Sequence, residues 1–419
     1  MDRRSFLAGV AALPLAVAAT KLKPIQEALI EQSQISASMW IYLWDLVDEG
    51  YDAVLRRLNE NGITSISLAT AYHTGRFLAP HNPKRKIVFL EDGTVYFSPN
   101  TKLYGRIAPL VNSLVKDGHG LREVKEHADK FEMQTRSWVV CCHNTALGLK
   151  FPDIACETVF GDKLFHNLCP SNNDVRTYIA ALVRDVASYD VDAIELEALQ
   201  FQGYTHGFHH ERDGIPLNNG MKFLLGLCFC PSCARRANDA RIDFDAVRKF
   251  VHETLEAHFA DPSKLGDQYS DIEKFPQEIF KPFFEWRASV ITSLVTELAE
   301  VSHSFHSRLR PMIALDPSGQ KMAGIDVGRI AKITGGVLVL GYVKDGATLR
   351  SPLSILQSQI SDNPLTIGFQ LGLPESGGKV EFLDRMKVAR ELGVSSFNFY
   401  NYGLVPQENL HWIKESIRD

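Results

Sequence analysis

"VDAIELEALQF", Val191–Phe201, decides the fold. Side chains alternate along an extended chain. Glu195 and Glu197 therefore share one face, and Ile194, Leu196 and Ala198 share the other. An ionised carboxylate costs several kcal/mol to bury unless it is paired or does chemistry. A barrel strand reconciles the two faces: the apolar side packs on helices, and the glutamates point into the lumen. Glu195 lies deeper, where an arginine or histidine is expected to meet it. Glu197 lies nearer the mouth.

Outward from this strand the same unit repeats. "SNNDVRTYIAALVRDVASY" before it reads as a helix, capped by Ser171 or a neighbouring Asn. Upstream lie strand-like "ASMWIYLWDL", "ITSISLAT" and "QTRSWVVCCHN"; downstream lie "RPMIALDPS", "GGVLVLGYV", "PLTIGFQLGLP" and "VSSFNFYNYGL". Helical patterns separate them. Eight such strands give an α/β fold, a (β/α)8 TIM barrel over residues 36–419. "KIVFLEDGTVYFSP" adds a β-hairpin about Asp92-Gly93 after strand two, and a long cysteine-containing excursion follows strand four. No G-x-G-x-x-G follows a strand, so neither a doubly wound sheet nor an organic cofactor is expected.

The chain has 419 residues and a net charge of −5, which leaves no electrostatic footprint for nucleic acid. It begins "MDRRSFLAGVAALPLAVAAT". A positive start, a short apolar middle and a small-residue exit are the parts of an export signal, expected over 1–20, with a linker over 21–35. Arg3-Arg4 before Ser-Phe-Leu resembles a bacterial twin-arginine signal, with Asp2 in place of the usual small polar residue. That resemblance implies export in a folded state by the twin-arginine machinery, to the periplasm or beyond. No later segment is long enough to span a membrane.

Seven cysteines in an exported chain ordinarily mean disulfides. Cys228, Cys230 and Cys233, in "GLCFCPSCARRA", are spaced instead like ligands of a structural zinc. The fourth ligand would be Cys156, Cys169 or a histidine. The other reading is one disulfide and one free thiol.

Reactive groups in such barrels gather at the C-terminal ends of the strands. Those ends hold Asp45, then Tyr72 and His73, then His143 and Asn144, then Glu195, Glu197, Tyr204, His206 and His210. Further on come Asp316, Gln370 and Glu375, and finally Tyr400 and Asn401. Hydroxyl-binding polar groups mixed with rings suit a sugar. Two carboxylates flanking a glycosidic bond are the usual means of its acid/base cleavage.

The arrangement resembles the (β/α)8 glycoside hydrolases. In their largest retaining clan the acid/base glutamate ends strand four and the nucleophile ends strand seven. Glu197 matches the first position. Glu375, after Pro374, approximates the second, and Leu196 stands where that clan has Asn. "LCFCPSCARRA" is similar to a short cysteine motif of glycosyl-hydrolase-like barrels, and beta-galactosidase-type barrels include members with a cysteine-bound zinc. The resemblance implies an exported carbohydrate-active hydrolase with Glu197 and Glu375 catalytic and the other strand-end residues binding substrate. Two alternatives share the fold. A metal-dependent sugar isomerase or epimerase would draw on Asp316, Glu197, His206 and His143. A carbohydrate-binding barrel without catalysis would leave Glu197 without a partner.

Overall fold

Eight parallel strands close on themselves in a computed structural model that describes residues 35–205 and 210–418. In chain order the barrel strands are Ser36–Ile41, Ser65–Tyr72, Gln134–Val140, Ala193–Glu197, Arg308–Ala314, Val337–Leu340, Leu365–Gln370 and Ser396–Tyr400. They are called strands one to eight below. Each pairs with its neighbour, and strand one also pairs with strand eight, so the barrel leaves no edge. The fold is the expected (β/α)8 barrel. The export segment, nearly all of the linker, and His206 and His209 lie outside the described residues.

The helices form because apolar residues recur on one face and are buried against the strands. In Asn173–Ala187, Val175, Ile179, Leu182, Val183 and Val186 are all buried, and the Asn172 side chain accepts from the Asp174 and Val175 amides as its N-cap. The long helix Gln277–His303 buries Val290, Ile291, Leu294 and Leu298 against the same layer. Each such side chain contributes about 1.5–3 kcal/mol on leaving water. Ile194 and Leu196 face these helices, as the alternation requires, and both are fully buried.

The lumen is polar. Ser38 and Trp40, Ser65 and Ser67, Arg136 and Trp138, Glu195, and Asn398 are all buried, and they come from strands one, two, three, four and eight. Register places Trp40 beside Ser67 and Glu195 beside Trp138.

Three local expectations are corrected. Strand one stops at Ile41, and Trp44 and Asp45 belong to the helix Leu43–Glu49. Asp45 Oδ2 accepts the Tyr42 amide at 3.1 Å, a capping interaction that favours the helical turn. The pattern of "VDEGYDAVLRRLNENG" reads as one helix stopped by Gly62, but Gly50, at φ 91°, separates the helices Leu43–Glu49 and Tyr51–Glu60. The two β runs about Asp92-Gly93 do not pair with each other. Ile87–Phe89 pairs antiparallel with Arg76–Leu78, and Thr94–Val95 pairs with the end of strand two. The inserted ribbon is therefore Arg76–Leu78 with Ile87–Phe89.

Two excursions shape the mouth. Strand three is followed by the helix Thr145–Lys150 and the antiparallel ribbon Ala155–Glu157 with Lys163–Leu168. Strand four is followed by helices Asn219–Leu225, Pro231–Asp239 and Phe244–Ala260, which carry the C-x-C-x2-C segment. Among the described residues no helix is long and apolar enough to cross a membrane.

Candidate active site

The two glutamates of strand four occupy different environments. Glu195 is wholly buried. Its Oε2 accepts Trp40 Nε1 at 2.9 Å and Ser67 Oγ at 2.6 Å, and Asn398 Nδ2 reaches both carboxylate oxygens at 3.0 Å. Arg136 Nη1 stands 3.6 Å away. This is the expected cationic neighbour. Burial raises the Glu195 pKa, and Arg136 leads the opposing pull. Four donor groups from strands one, two, three and eight hold one carboxylate, so its role is to tie the lumen together.

Glu197 is half-buried at the end of the same strand. Its Oε2 accepts Trp138 Nε1 at 2.6 Å. No cation forms an ion pair with it among the described residues. Burial therefore pushes its pKa up to about 7, and the Trp138 hydrogen bond only partly offsets that. A carboxyl so placed is both an acid and a base near neutrality, the property that acid/base catalysis demands.

Aromatic side chains gather around it. Tyr42, Tyr72 and Tyr400 meet through their hydroxyls: Tyr42 lies 3.2 Å from Tyr72 and 3.1 Å from Tyr400. Trp138 packs edge-on against Tyr72 at 4.8 Å and against Tyr400 at 6.1 Å, and Trp40 against Tyr400 at 6.0 Å. Tyr342, from the end of strand six, stands 6.2 Å from Tyr400. The charge of Glu197 is felt by Tyr72, Tyr342 and Tyr400, and raises their phenol pKa values beyond the effect of burial. Towards strands two and three, Tyr72 stacks on His73 at 4.4 Å and His73 on His143 at 4.3 Å. His166, from the ribbon Lys163–Leu168, follows at 6.2 Å from His143.

Glu375 sits in the turn Pro374–Ser376 just past strand seven and is exposed. Gln370 Nε2 donates to its Oε1 at 3.0 Å. Tyr400 senses the charge of both Glu375 and Glu197, so the phenol lies within electrostatic reach of both carboxylates.

Other strand-end residues serve the scaffold. Asp45 is fully buried in its helix turn, and desolvation lifts it to about 8. Asn144 caps the helix Thr145–Lys150 through the Leu147 amide at 2.9 Å. Asp316 caps Pro317–Ala323 through the Gly319 amide at 2.6 Å. Asn401, buried, accepts the Gly403 amide at 3.0 Å, and the Tyr400–Asn401 peptide is cis. In the loop after strand four, Tyr204 donates to Asp213 at 2.7 Å, and His210 is exposed and accepts from Arg212 at 3.3 Å. The residues the structure brings together are thus Tyr72, His73, His143, Glu197 and Tyr400, with Gln370 and Glu375 at the rim.

Sequence reasoning left out Trp40, Tyr42, Trp138 and His166. Three of these had a signal. Trp40 and Tyr42 share the parity of Ser38 in strand one, and Trp138 that of Arg136 in strand three, so all three belong on the lumen face. His166 had none, because its ribbon is a short insert without alternation.

The cysteines converge away from the strands. Cys169, Cys228, Cys230 and Cys233 are buried, and their sulfurs all lie within 4.8 Å of one another. Cys169 Sγ is 3.5 Å from Cys233, 3.5 Å from Cys230 and 3.8 Å from Cys228. Those gaps exceed the ~2.05 Å of a disulfide, and all seven cysteines are free thiols. Thiolates placed tetrahedrally around a zinc at ~2.3 Å lie ~3.8 Å apart, which the cluster matches. The fourth sulfur is therefore Cys169. Cys156 is a fifth buried thiol beside the cluster, and its hydrogen bond is the first cause holding the Cys169 pKa down to about 6. Arg287, whose pKa burial lowers to about 10, lies 4.2 Å over the ring of Phe201, just past strand four. Among the described residues no other group of His, Cys, Asp and Glu converges as a metal site.

No protein-family model matches this sequence, and no curated protein matches it. Solved structures do match in backbone. The glycoside hydrolase domain of PgaB (BpsB) from Bordetella bronchiseptica aligns with a TM-score of 0.58 at 12% identity, over 92% of this chain and 98% of that one. A beta-galactosidase from the Antarctic haloarchaeon Halorubrum lacusprofundi aligns at 0.56 with 11% identity, over 92% of this chain and 58% of its own. A beta-galactosidase from Bacillus circulans sp. alkalophilus aligns at 0.55 with 12% identity, over 92% and 55%. The chain spans a little over half the length of these two galactosidases. At such identities the likeness is one of fold, and the fold is the (β/α)8 barrel on which these glycoside hydrolases are built.

Proposed function

We propose that this chain is an exported glycoside hydrolase, with Glu197 as general acid/base and Glu375 as the second carboxylate. One observation carries the reading: a mouth-facing carboxyl, walled by tyrosines and tryptophans, unpaired with any described cation and raised to about 7. The rings offer apolar platforms for a sugar face, and the phenols and imidazoles offer partners for its hydroxyls. In the reaction, protonated Glu197 gives its proton to the glycosidic oxygen as the bond from that oxygen to the anomeric carbon breaks. Glu375, as carboxylate, either attacks the anomeric carbon or takes a proton from the attacking water. The anomer first released distinguishes the two.

Cys169, Cys228, Cys230 and Cys233 would hold a zinc, whose closed set of four thiolates supplies a structural cross-link and no open position for chemistry. Asp316 is engaged as a helix cap, which favours the hydrolase over a metal-dependent isomerase that would draw on that carboxylate. The paired arginines of the N-terminus support export in a folded state to the periplasm or beyond.

The test is Glu197→Gln on an unactivated glycoside. Turnover falls by about 10²–10⁴-fold while substrate binding persists. Unchanged turnover rejects the assignment.

A further inference from the structure

The ribbon inserted after strand two exposes an apolar face at the barrel mouth. Leu78 is 65% exposed, Ile87 52% and Phe89 73%. Register puts Arg76 opposite Phe89 and Leu78 opposite Ile87, so these four side chains share one face. Phe77 and Val88 occupy the other. Phe77 stacks on Tyr42 at 5.4 Å and packs on Trp44 at 6.3 Å, and Val88 is buried. The ribbon is thereby pinned to the rim with Leu78, Ile87 and Phe89 turned to solvent.

Its charge sets it apart from the rest of the molecule. Residues 76–90 contain four cations and no carboxylate, in a chain whose net charge is −5. Lys84 and Arg85 share the single carboxylate of Asp48, at 3.6 and 2.7 Å. Lys86 donates to the carbonyls of Pro80 and Asn82, which leaves its charge uncompensated. Arg76 forms no ion pair with any described residue. The acids that follow, Glu91 and Asp92, accept from the Ser113 and Thr74 amides and form no ion pair with the ribbon among the described residues.

We propose that this face docks on an anionic lipid surface. Leu78, Ile87 and Phe89 enter the boundary between head groups and acyl chains, while Arg76 and Lys86 meet the phosphates. Apolar side chains bordered by uncompensated cations are the composition that seats on such an interface. Of the three exposed apolar side chains Phe89 alone is a ring, and Leu78 and Ile87 beside it are aliphatic, a composition that suits acyl chains better than a polysaccharide. A second copy related by a two-fold axis would bring the same cations face to face. The docked mouth would then open towards the membrane. On the hydrolase reading, its substrates are saccharides held at that surface, although the docking itself does not depend on that reading.

The experiment uses the full chain with vesicles of phosphatidylcholine, alone or mixed with phosphatidylglycerol. A Phe89→Trp variant reports locally, and Leu78→Ser/Phe89→Ser removes the apolar face. Expected are binding at least about tenfold stronger with the anionic lipid, about a tenfold loss in the double variant, and quenching of Trp emission from position 89 by brominated phosphatidylglycerol. Hydrolysis of a soluble glycoside stays at the wild-type rate in the double variant, which separates failure here from failure of Glu197. Four results overturn the proposal: no preference for anionic vesicles, bound chain whose position-89 emission escapes quenching, a dimer that Leu78→Ser/Phe89→Ser dissolves, or binding that follows an acidic polysaccharide in place of lipid.

Discussion

Trp138 donates its indole hydrogen to Glu197 Oε2 across 2.6 Å, joining the lumen face of strand three to the last residue of strand four. It is the one hydrogen bond to this carboxylate among the described side chains, and it favours the charged form. Removing it in Trp138→Phe should raise the Glu197 pKa above its value of about 7. The alkaline limb of the turnover profile should then move up by about one unit. A limb that stays in place would show that the indole does not tune the acid.

The same carboxyl sets the wild-type profile. The acid form is lost as pH rises through about 7, so kcat should decline above that value. Glu197→Gln cannot titrate there, and its residual activity should be flat from pH 6 to about pH 8. Steady-state rates across that range decide the matter.

Stability should follow the same direction. The folded pKa of Glu197 lies above the ordinary glutamate value of 4.5, so its favourable contribution is complete below 4.5 and disappears as pH rises through about 7. Glu197→Gln should therefore gain on the wild type between pH 5 and 8, by up to about 3 kcal/mol. Urea unfolding at the two pH values measures it, and a gap independent of pH would contradict the burial argument.

Glu195 should behave differently. Glu195→Ala strands the donors of Trp40, Ser67 and Asn398 and leaves Arg136 without its counter-charge. Losing one partner of such a buried set costs about 3–5 kcal/mol. The denaturation midpoint should drop sharply, whatever happens to turnover.

The cysteine centre predicts one tightly held zinc per chain. Zinc sites of this kind contribute about 10–16 kcal/mol in isolated peptides, and in a barrel that already has its own core a loss nearer 3–5 kcal/mol is expected. Cys169→Ser should abolish the metal and lower the melting temperature. Elemental analysis with thermal unfolding tests both, and full metal content in that variant would point to Cys156 as the ligand.

The barrel was legible because its strands alternate and its helices do not. Glu195 and Glu197 could be turned inward on parity alone. Identifying Cys169 was beyond spacing: it lies 64 positions from Cys233, and only folding brings the ribbon Lys163–Leu168 against the excursion. Asp45, Asn144 and Asp316 look like substrate ligands at strand ends, but the same short oxygen-bearing side chains are what helix starts require. A linear reading has no means of separating these two uses. The ribbon pairing was missed for a related reason, since Asp92-Gly93 is a strong turn signal and the competing partner, Arg76–Leu78, is only three residues long.

The Glu195 knot has a consequence for how the chain is made. Its carboxylate emerges with strand four, but Asn398, which binds both of its oxygens, arrives only with strand eight. Until that final segment docks, the carboxylate has Trp40, Ser67 and Arg136 but lacks the amide that reaches both of its oxygens. Closure of the ring by strand eight thus completes the donor set of this carboxylate as its last step.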